Sequence, residues 1–171
     1  MNLCIVKLTA SDLNDLYTFE LENRSFFEEM VPSRGDDYYK PEIFKVRNEA
    51  LLQEQADGIS NFYLIKDDHG TVLGRINLVD INETHKVGHL GYRIGRRYTG
   101  RGIAKKALSL LLETVKDITQ VHAKTTTANM ASLKVLEGNG FVKTATDEED
   151  FEMRDQKFKF VYYSWSSSNH G

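Results

Sequence analysis

The residue types best suited to chemistry crowd together between His89 and Lys106: His-Leu-Gly-Tyr-Arg-Ile-Gly-Arg-Arg-Tyr-Thr-Gly-Arg-Gly-Ile-Ala-Lys-Lys. Arg93, Arg96, Arg97, Arg101, Lys105 and Lys106 place six cations there, and no carboxylate stands among them. The pattern reads as a strand, a glycine-rich turn and the first turn of a helix, a junction suited to holding phosphate. Amides at a helix start have no intrahelical acceptor, and the macrodipole places partial positive charge at the same point. Gly100 and Gly102 keep side chains away from a pyrophosphate and permit positive φ.

Two common phosphate binders do not fit. Gly95 and Gly100 have the G-x-x-x-x-G spacing of a P-loop, but Arg101-Gly102 follows where Lys-Ser/Thr is required. Gly100-Arg101-Gly102 opens like a dinucleotide fingerprint, yet the third glycine and an early βαβ unit are missing. Arg97-Tyr98-Thr99-Gly100-Arg101-Gly102 does resemble the acetyl-CoA signature of the GNAT acetyltransferases, Arg/Gln-x-x-Gly-x-Gly/Ala. Leu90 to Gly95 before it, and Asn129-Met130-Ala131-Ser132 with Gly140-Phe141 after it, resemble the branch of ribosomal-protein N-terminal acetyltransferases (RimJ/RimL-like). The resemblance spans roughly residues 62–163.

This resemblance implies roles for individual residues. The amides of Tyr98, Thr99, Gly100, Arg101, Gly102, Ile103 and Ala104 would hold the pyrophosphate, with Arg96, Arg97 and Lys105 screening its charge. The backbone of Tyr92, Arg93 and Ile94 would bond the pantetheine amides like an added strand edge. Asn129 would reach the pantetheine arm; following a strand and opening a helix, it also reads as a plain N-cap. Many enzymes of the family carry a tyrosine seven residues after this asparagine to protonate the departing thiolate, a place taken here by Leu136. The branch substitutes a serine three residues after the asparagine, here Ser132, which could equally be a helix serine bonded to an i−4 carbonyl.

The general base is less legible. Lys124 stands where some relatives carry Glu, and His89 where others do. Imidazole titrates in the useful range, so His89 is the candidate base, although a strand histidine is more often a packed or surface residue. Phe26, Phe27, Glu28 and Glu29 would line the acceptor entrance and attract a cationic amine, the alternative for the two acids being a solvated loop pair. The implied activity is acetyl-CoA-dependent N-acetyl transfer, by direct attack in a ternary complex. The acceptor would be a primary amine, of a protein N-terminus or a small molecule. Lys124 and Leu136 keep open a non-catalytic acyl-CoA-binding sensor or interaction module.

The 171 residues suffice for one domain with a substantial core, spanning the whole chain and ending in a polar tail from about residue 166. No apolar run approaches a membrane span, and the N-terminus lacks a basic n-region, so a cytoplasmic protein is expected. A net charge of −3 argues against nucleic-acid binding. Cys4 is expected as a buried strand residue, and no His/Cys/Asp/Glu spacing suggests a metal. Monomer and homodimer are both permitted.

Alternation predicts strands over residues 3–8, 61–66, 72–81 and 87–94, then 121–127, 141–145 and 157–165. Helical periodicity predicts helices over 12–22, 41–55, 103–116 and 128–137, while 23–40 reads as loop. The strand at 121–127 follows a crossover helix and should pair in parallel. The last two strands should form an antiparallel pair across the acidic stretch 147–150. The fold class is α+β, the GNAT fold: a single mixed, mostly antiparallel twisted sheet with helices on both faces.

Overall fold

In the computed structural model, which describes residues 2–167, those residues form nine strands and five α-helices. The helices are α1 (Leu13–Glu22), α2 (Arg24–Met30), α3 (Pro41–Ala56), α4 (Ile103–Thr114) and α5 (Met130–Gly138). The first five strands are β1 (Leu3–Lys7), β2 (Asn61–Asp67), β3 (Val72–Asn82), β4 (Val87–Ile94) and β5 (Gln120–Thr126). The remaining four are β6 (Val142–Thr146), β7 (Phe151–Met153), β8 (Gln156–Phe158) and β9 (Phe160–Ser166). Seven strands form one sheet in the order β1-β2-β3-β4-β5-β9-β6, and β7 and β8 make a separate hairpin. Among the described residues only β4 and β5 pair in parallel, as the crossover helix requires.

Helices cover both faces. One face buries Ile65, Leu73, Ile76 and Leu78 against Ile103, Ala107, Leu108 and Leu111 of α4 and Leu136 of α5. The other packs Phe62 and Leu64 against Leu13, Leu16 and Phe19 of α1, Phe27 of α2 and Phe44 of α3. In α4 the buried positions recur at helical spacing, which turns one apolar stripe to the sheet. In α3, Pro41 sits at the first turn, where its missing N–H costs nothing.

Several expectations need correction. The stretch 23–40 contains α2 and a 3-10 turn over Asp36–Tyr39. A ring contact between Phe27 and Phe19, with centroids 5.8 Å apart, holds α2 on α1, and an Arg24–Glu28 bridge at 3.1 Å braces it. The predicted strand 157–165 is two strands, because the chain turns out at Lys159. There Lys159 accepts from the Thr127 N–H at 2.9 Å and donates to Thr127 Oγ1 at 3.1 Å. The connection before it is a hairpin whose turn residues, Arg154 and Asp155, both have positive φ. β9 also inserts between β5 and β6. Cys4 is exposed: β1 is an edge strand whose Leu3 and Ile5 pack against the core, leaving Cys4 on the outer side. Ser166 belongs to β9, and of the predicted tail, residues 168–171 lie outside the described residues.

Candidate active site

The site begins where two parallel strands stop pairing. β4 and β5 are in register from Val87–Gln120 to Leu90–Ala123 and no further. Beyond that point β4 stays bonded to β3 as far as Ile94–Gly74, and β5 stays bonded to β9 as far as Thr126–Phe160. The strands therefore part within the sheet, leaving the β4 edge from Gly91 to Ile94 without a strand partner on that side. A cavity of about 1120 Å³ occupies the gap, large enough for an extended cofactor-sized ligand. Gly91, Tyr92, Arg93 and Ile94 line it from β4, and Ala123 to Thr126 from β5.

At one end lies the glycine turn. Gly100 and Gly102 both have φ of +75°, and a Cβ on either would meet only open space. Both glycines answer to backbone conformation and leave room for a ligand. The amides from Gly100 to Lys105 donate to no acceptor among the described residues; the first intrahelical bond runs from Lys106 N–H to Gly102 O at 3.1 Å. A run of free amides at the start of α4 is an anion cradle. Tyr98, Thr99, Gly100, Gly102, Ile103, Ala104 and Lys105 all line the cavity. Arg96 and Arg97 instead line a separate cavity of about 680 Å³ beside α1, and Arg101 lines neither. Buried Asn23 fixes the turn: its Nδ2 donates to Phe19 O at 2.9 Å, and its Oδ1 accepts from the Arg96 N–H at 2.8 Å.

In the middle, α5 supplies the proton-bearing groups. Asn129 caps the helix, its Oδ1 accepting from the Ser132 N–H at 3.2 Å. Its Nδ2 has no acceptor among the described residues, so the cap leaves a donor for a ligand carbonyl, and Asn129 lines the cavity. Ser132, only 8 % exposed, shares a 2.7 Å hydrogen bond between its Oγ and the Tyr92 hydroxyl. Sequence reasoning assigned Tyr92 a backbone role alone; its phenol is a further functional group. Burial pushes that phenol up to about 12, the Ser132 hydrogen bond opposing the rise more weakly. The phenol therefore keeps its proton near neutral pH. Leu136, 1 % exposed and packed in the core, also lines the cavity with an apolar side chain that cannot donate a proton.

The far end departs most from the sequence reading. Phe26 and Phe27 line the cavity. Glu28 does not, its carboxylate being taken by Arg24 at 3.1 Å and by the Ser33 hydroxyl at 2.6 Å. Glu29 is exposed and outside the lining. His89 is exposed, outside the lining, and beside His122 with ring centroids 5.5 Å apart. Burial, and then His89, lower the His122 pKa. Among the described residues no Asp, Glu or His lines the cavity, whereas Arg34, Arg75, Arg93 and Lys124 do. Arg75 and Arg93 face each other across β3 and β4 and share the carboxylate of fully buried Glu20. A readable signal existed for both ends of this contact. Arg75 sits at a core-facing position of an apolar strand, and Glu20 continues the buried stripe of Leu13 and Leu16.

These features make a cavity on a split sheet that suits an acyl-CoA ligand. Residues 2–142 match the family model for the acetyltransferase (GNAT) domain, and the chain belongs to that family, whose members take the acetyl group from acetyl-CoA. The chain is 27 % identical over 141 residues to the probable N-acetyltransferase YjcK of Bacillus subtilis, covering 80 % of this chain and 78 % of that one. Its fold matches the ribosomal-protein-S5-alanine acetyltransferase of Vibrio fischeri with a TM-score of 0.86 at 20 % identity, over 97 % of this chain and 93 % of that chain. It matches Mycobacterium smegmatis RimJ, solved with a CoA disulfide, with a TM-score of 0.85 at 18 % identity, over 98 % and 83 %. Among the described residues no group of side chains could hold a metal, and no helix is long and apolar enough to cross a membrane.

Proposed function

We propose that this protein transfers the acetyl group of acetyl-CoA to a primary amine, of a protein N-terminus or a small molecule, in a ternary complex. The observation that carries the reading is the run of free amides from Gly100 to Lys105 at the end of the gap between β4 and β5. These amides suit a pyrophosphate, with Lys105 screening charge. The free β4 edge from Tyr92 to Ile94 suits the pantetheine amides, and Asn129 Nδ2 adds a donor to the same arm.

The acceptor amine reaches the thioester from the side lined by Phe26 and Phe27. It must first lose a proton, and in the absence of a lining carboxylate or imidazole the acceptor of that proton is water. Arg34, Arg75, Arg93 and Lys124 favour the neutral amine by repelling its ammonium form, as neighbouring cations lower a lysine pKa. The amine nitrogen then bonds to the acyl carbon, a β4 amide meets the charge developing on the acyl oxygen, and the carbon–sulfur bond breaks. Ser132 Oγ–H donates to the departing thiolate, oriented by the Tyr92 phenol that donates to the serine oxygen. The nitrogen sheds its second proton to water.

The test is release of the CoA thiol by purified protein with acetyl-CoA and a panel of amines and peptides beginning in Ser, Ala or Thr. Amine-dependent release supports the reading. Saturable acetyl-CoA binding without turnover on any amine would overturn the transfer step, and no binding would overturn the cavity assignment.

A further inference from the structure

Three guanidiniums converge on one carboxylate at the acceptor end of the cavity. Arg75 and Arg93 are direct cross-strand partners, an arrangement that like charges disfavour. Glu20, 0 % exposed, holds them together: Arg75 lies 2.8 Å from it, Arg93 3.5 Å and Arg34 3.6 Å. Three cations against one anion leave two positive charges over, with Arg75 2 % exposed and the Arg93 and Arg34 side chains 17 % and 29 % exposed toward the cavity end. Buried excess charge is costly unless a counter-ion completes it. Two buried polar atoms here also lack any partner among the described residues, Arg75 Nε as a donor and Asn77 Oδ1 as an acceptor. Both residues line the cavity, two positions apart on the same face of β3. Among the described residues no carboxylate lines the cavity, and Glu20 behind it offsets only one of the charges of Arg34, Arg75, Arg93 and Lys124, so the remaining counter-charge belongs to whatever binds.

We propose that the acetyl acceptor carries a carboxylate beside its primary amine, bound by Arg75, Arg93 and Arg34, with the amine against the Asn77 carboxamide. The inference rests on the acetyl-transfer reading and sets its substrate class: amines with a nearby anion, and not polyamines. Arg93 and Tyr92 are successive residues of β4 on opposite faces, so the anion subsite lies across the sheet from the thiolate donor, with the free β4 edge between them. The carboxylate beside the amine has two sources. A free amino acid supplies it as its α-carboxylate, and a peptide beginning in Asp or Glu as its first side chain.

Two matched pairs test this: alanine against alaninamide, and an aspartyl dipeptide amide against its asparaginyl counterpart, with spermidine as the cationic probe. Each is measured by thiol release and, independently of turnover, by calorimetric binding to the CoA-saturated protein. The expected result is a preference for the carboxylate member of one pair by roughly ten- to a hundredfold, the worth of a charge-assisted hydrogen bond. The pair that shows it identifies the source. Arg34→Gln, at a partly exposed position that leaves the Arg75–Glu20 pair intact, should reduce the preference about tenfold while CoA affinity stays unchanged. Both pairs turning over within twofold, or a preference for spermidine, would overturn the proposal and leave the transferase standing. Should no amine turn over, preferential binding of a carboxylate member still supports the anion subsite, and indifference in binding overturns it.

Discussion

Replacing Ser132 with Ala should slow acetyl transfer by an amount the site geometry bounds. The Tyr92 phenol lies at about 12, so it is a weaker acid than an ordinary thiol near 8.5, and full transfer of its proton to a CoA thiolate runs uphill. The pair therefore acts by hydrogen-bonding charge as it develops on sulfur, rather than by delivering a proton outright. A hydrogen bond to a charged group contributes about 1.5–3 kcal/mol, so Ser132→Ala should lower kcat by roughly 10- to 150-fold. Tyr92 acts through the serine: its 2.7 Å bond fixes the hydroxyl rotor and polarises it, for a smaller loss of roughly two- to tenfold in Tyr92→Phe. The double variant should be no slower than Ser132→Ala alone within about threefold, because the phenol has nothing left to orient. The assay is thiol release at saturating acetyl-CoA and acceptor, with CoA affinity measured separately. Equal losses from Tyr92→Phe in the wild-type and Ser132→Ala backgrounds would refute the relay. A change confined to KM would refute the serine as donor.

Gly102→Ala forces a left-handed residue onto φ of +75°, which should cost about 1–2 kcal/mol and lower Tm by roughly 2–8 °C, with a parallel loss of CoA affinity. A thermal melt with and without CoA reads both. Glu20→Gln should cost about 3–5 kcal/mol by leaving guanidiniums without a counter-charge, visible in chemical denaturation. Burial works against Glu20 ionisation, but Arg75, Arg34 and Arg93 outweigh it and hold its carboxyl below the ordinary glutamate range. Its contribution is thus present above that range and lost as pH falls through the folded value, so the wild-type stability should fall on acidification more steeply than that of Glu20→Gln. Leu136→Tyr, which enlarges a side chain that is 1 % exposed in the core although it also lines the cavity, should cost about 1–3 kcal/mol by overpacking, read by chemical denaturation. Unchanged stability in that variant would contradict the overpacking argument.

How much could be read from the chain depended on whether the governing contacts were local. β4 and the start of α4 were legible because glycines and cations mark the turn between them, and the parallel β4–β5 pair because a crossover helix dictates its sense. α2 was hidden because Pro32 and Gly35 dominate the stretch, while the contact that makes it helical is Phe27 on Phe19, a tertiary one. The insertion of β9 between β5 and β6 is a long-range pairing with no local signature. In the site, Ser132 and Asn129 stand out through their resemblance to the family pattern, and the structure brings them together through the N-cap. The Tyr92 phenol does not, since its use depends on where α5 lies. Glu28 and Glu29 beside two phenylalanines admit both an acceptor role and a solvated pair; Arg24 and Ser33 occupy the Glu28 carboxylate and Glu29 is exposed, contacts that sequence alone does not reveal.

The division of labour in the site follows from strand alternation on a single element. Leu90 on β4 packs in the core beneath α4 and α5, with Tyr92 and Ile94 against it, so the Tyr92 phenol arrives at Ser132. Arg93 points the other way, over the Phe27 ring at 4.9 Å and toward Glu20. Between the two faces runs the backbone edge that β5 has abandoned. One strand can thus orient a proton donor on one side, meet an acceptor on the other and offer its amides to a donor substrate along its length. It does so only because pairing ends at Leu90–Ala123 while β3 and β9 keep the parted strands rigid. A residue slip in β4 would exchange the two faces, putting a guanidinium against α5 and a phenol against Glu20. The register is held against that slip where Arg75 and Arg93, bound to one carboxylate, lock β3 to β4, so the charges that select the acceptor also keep the donor machinery in place.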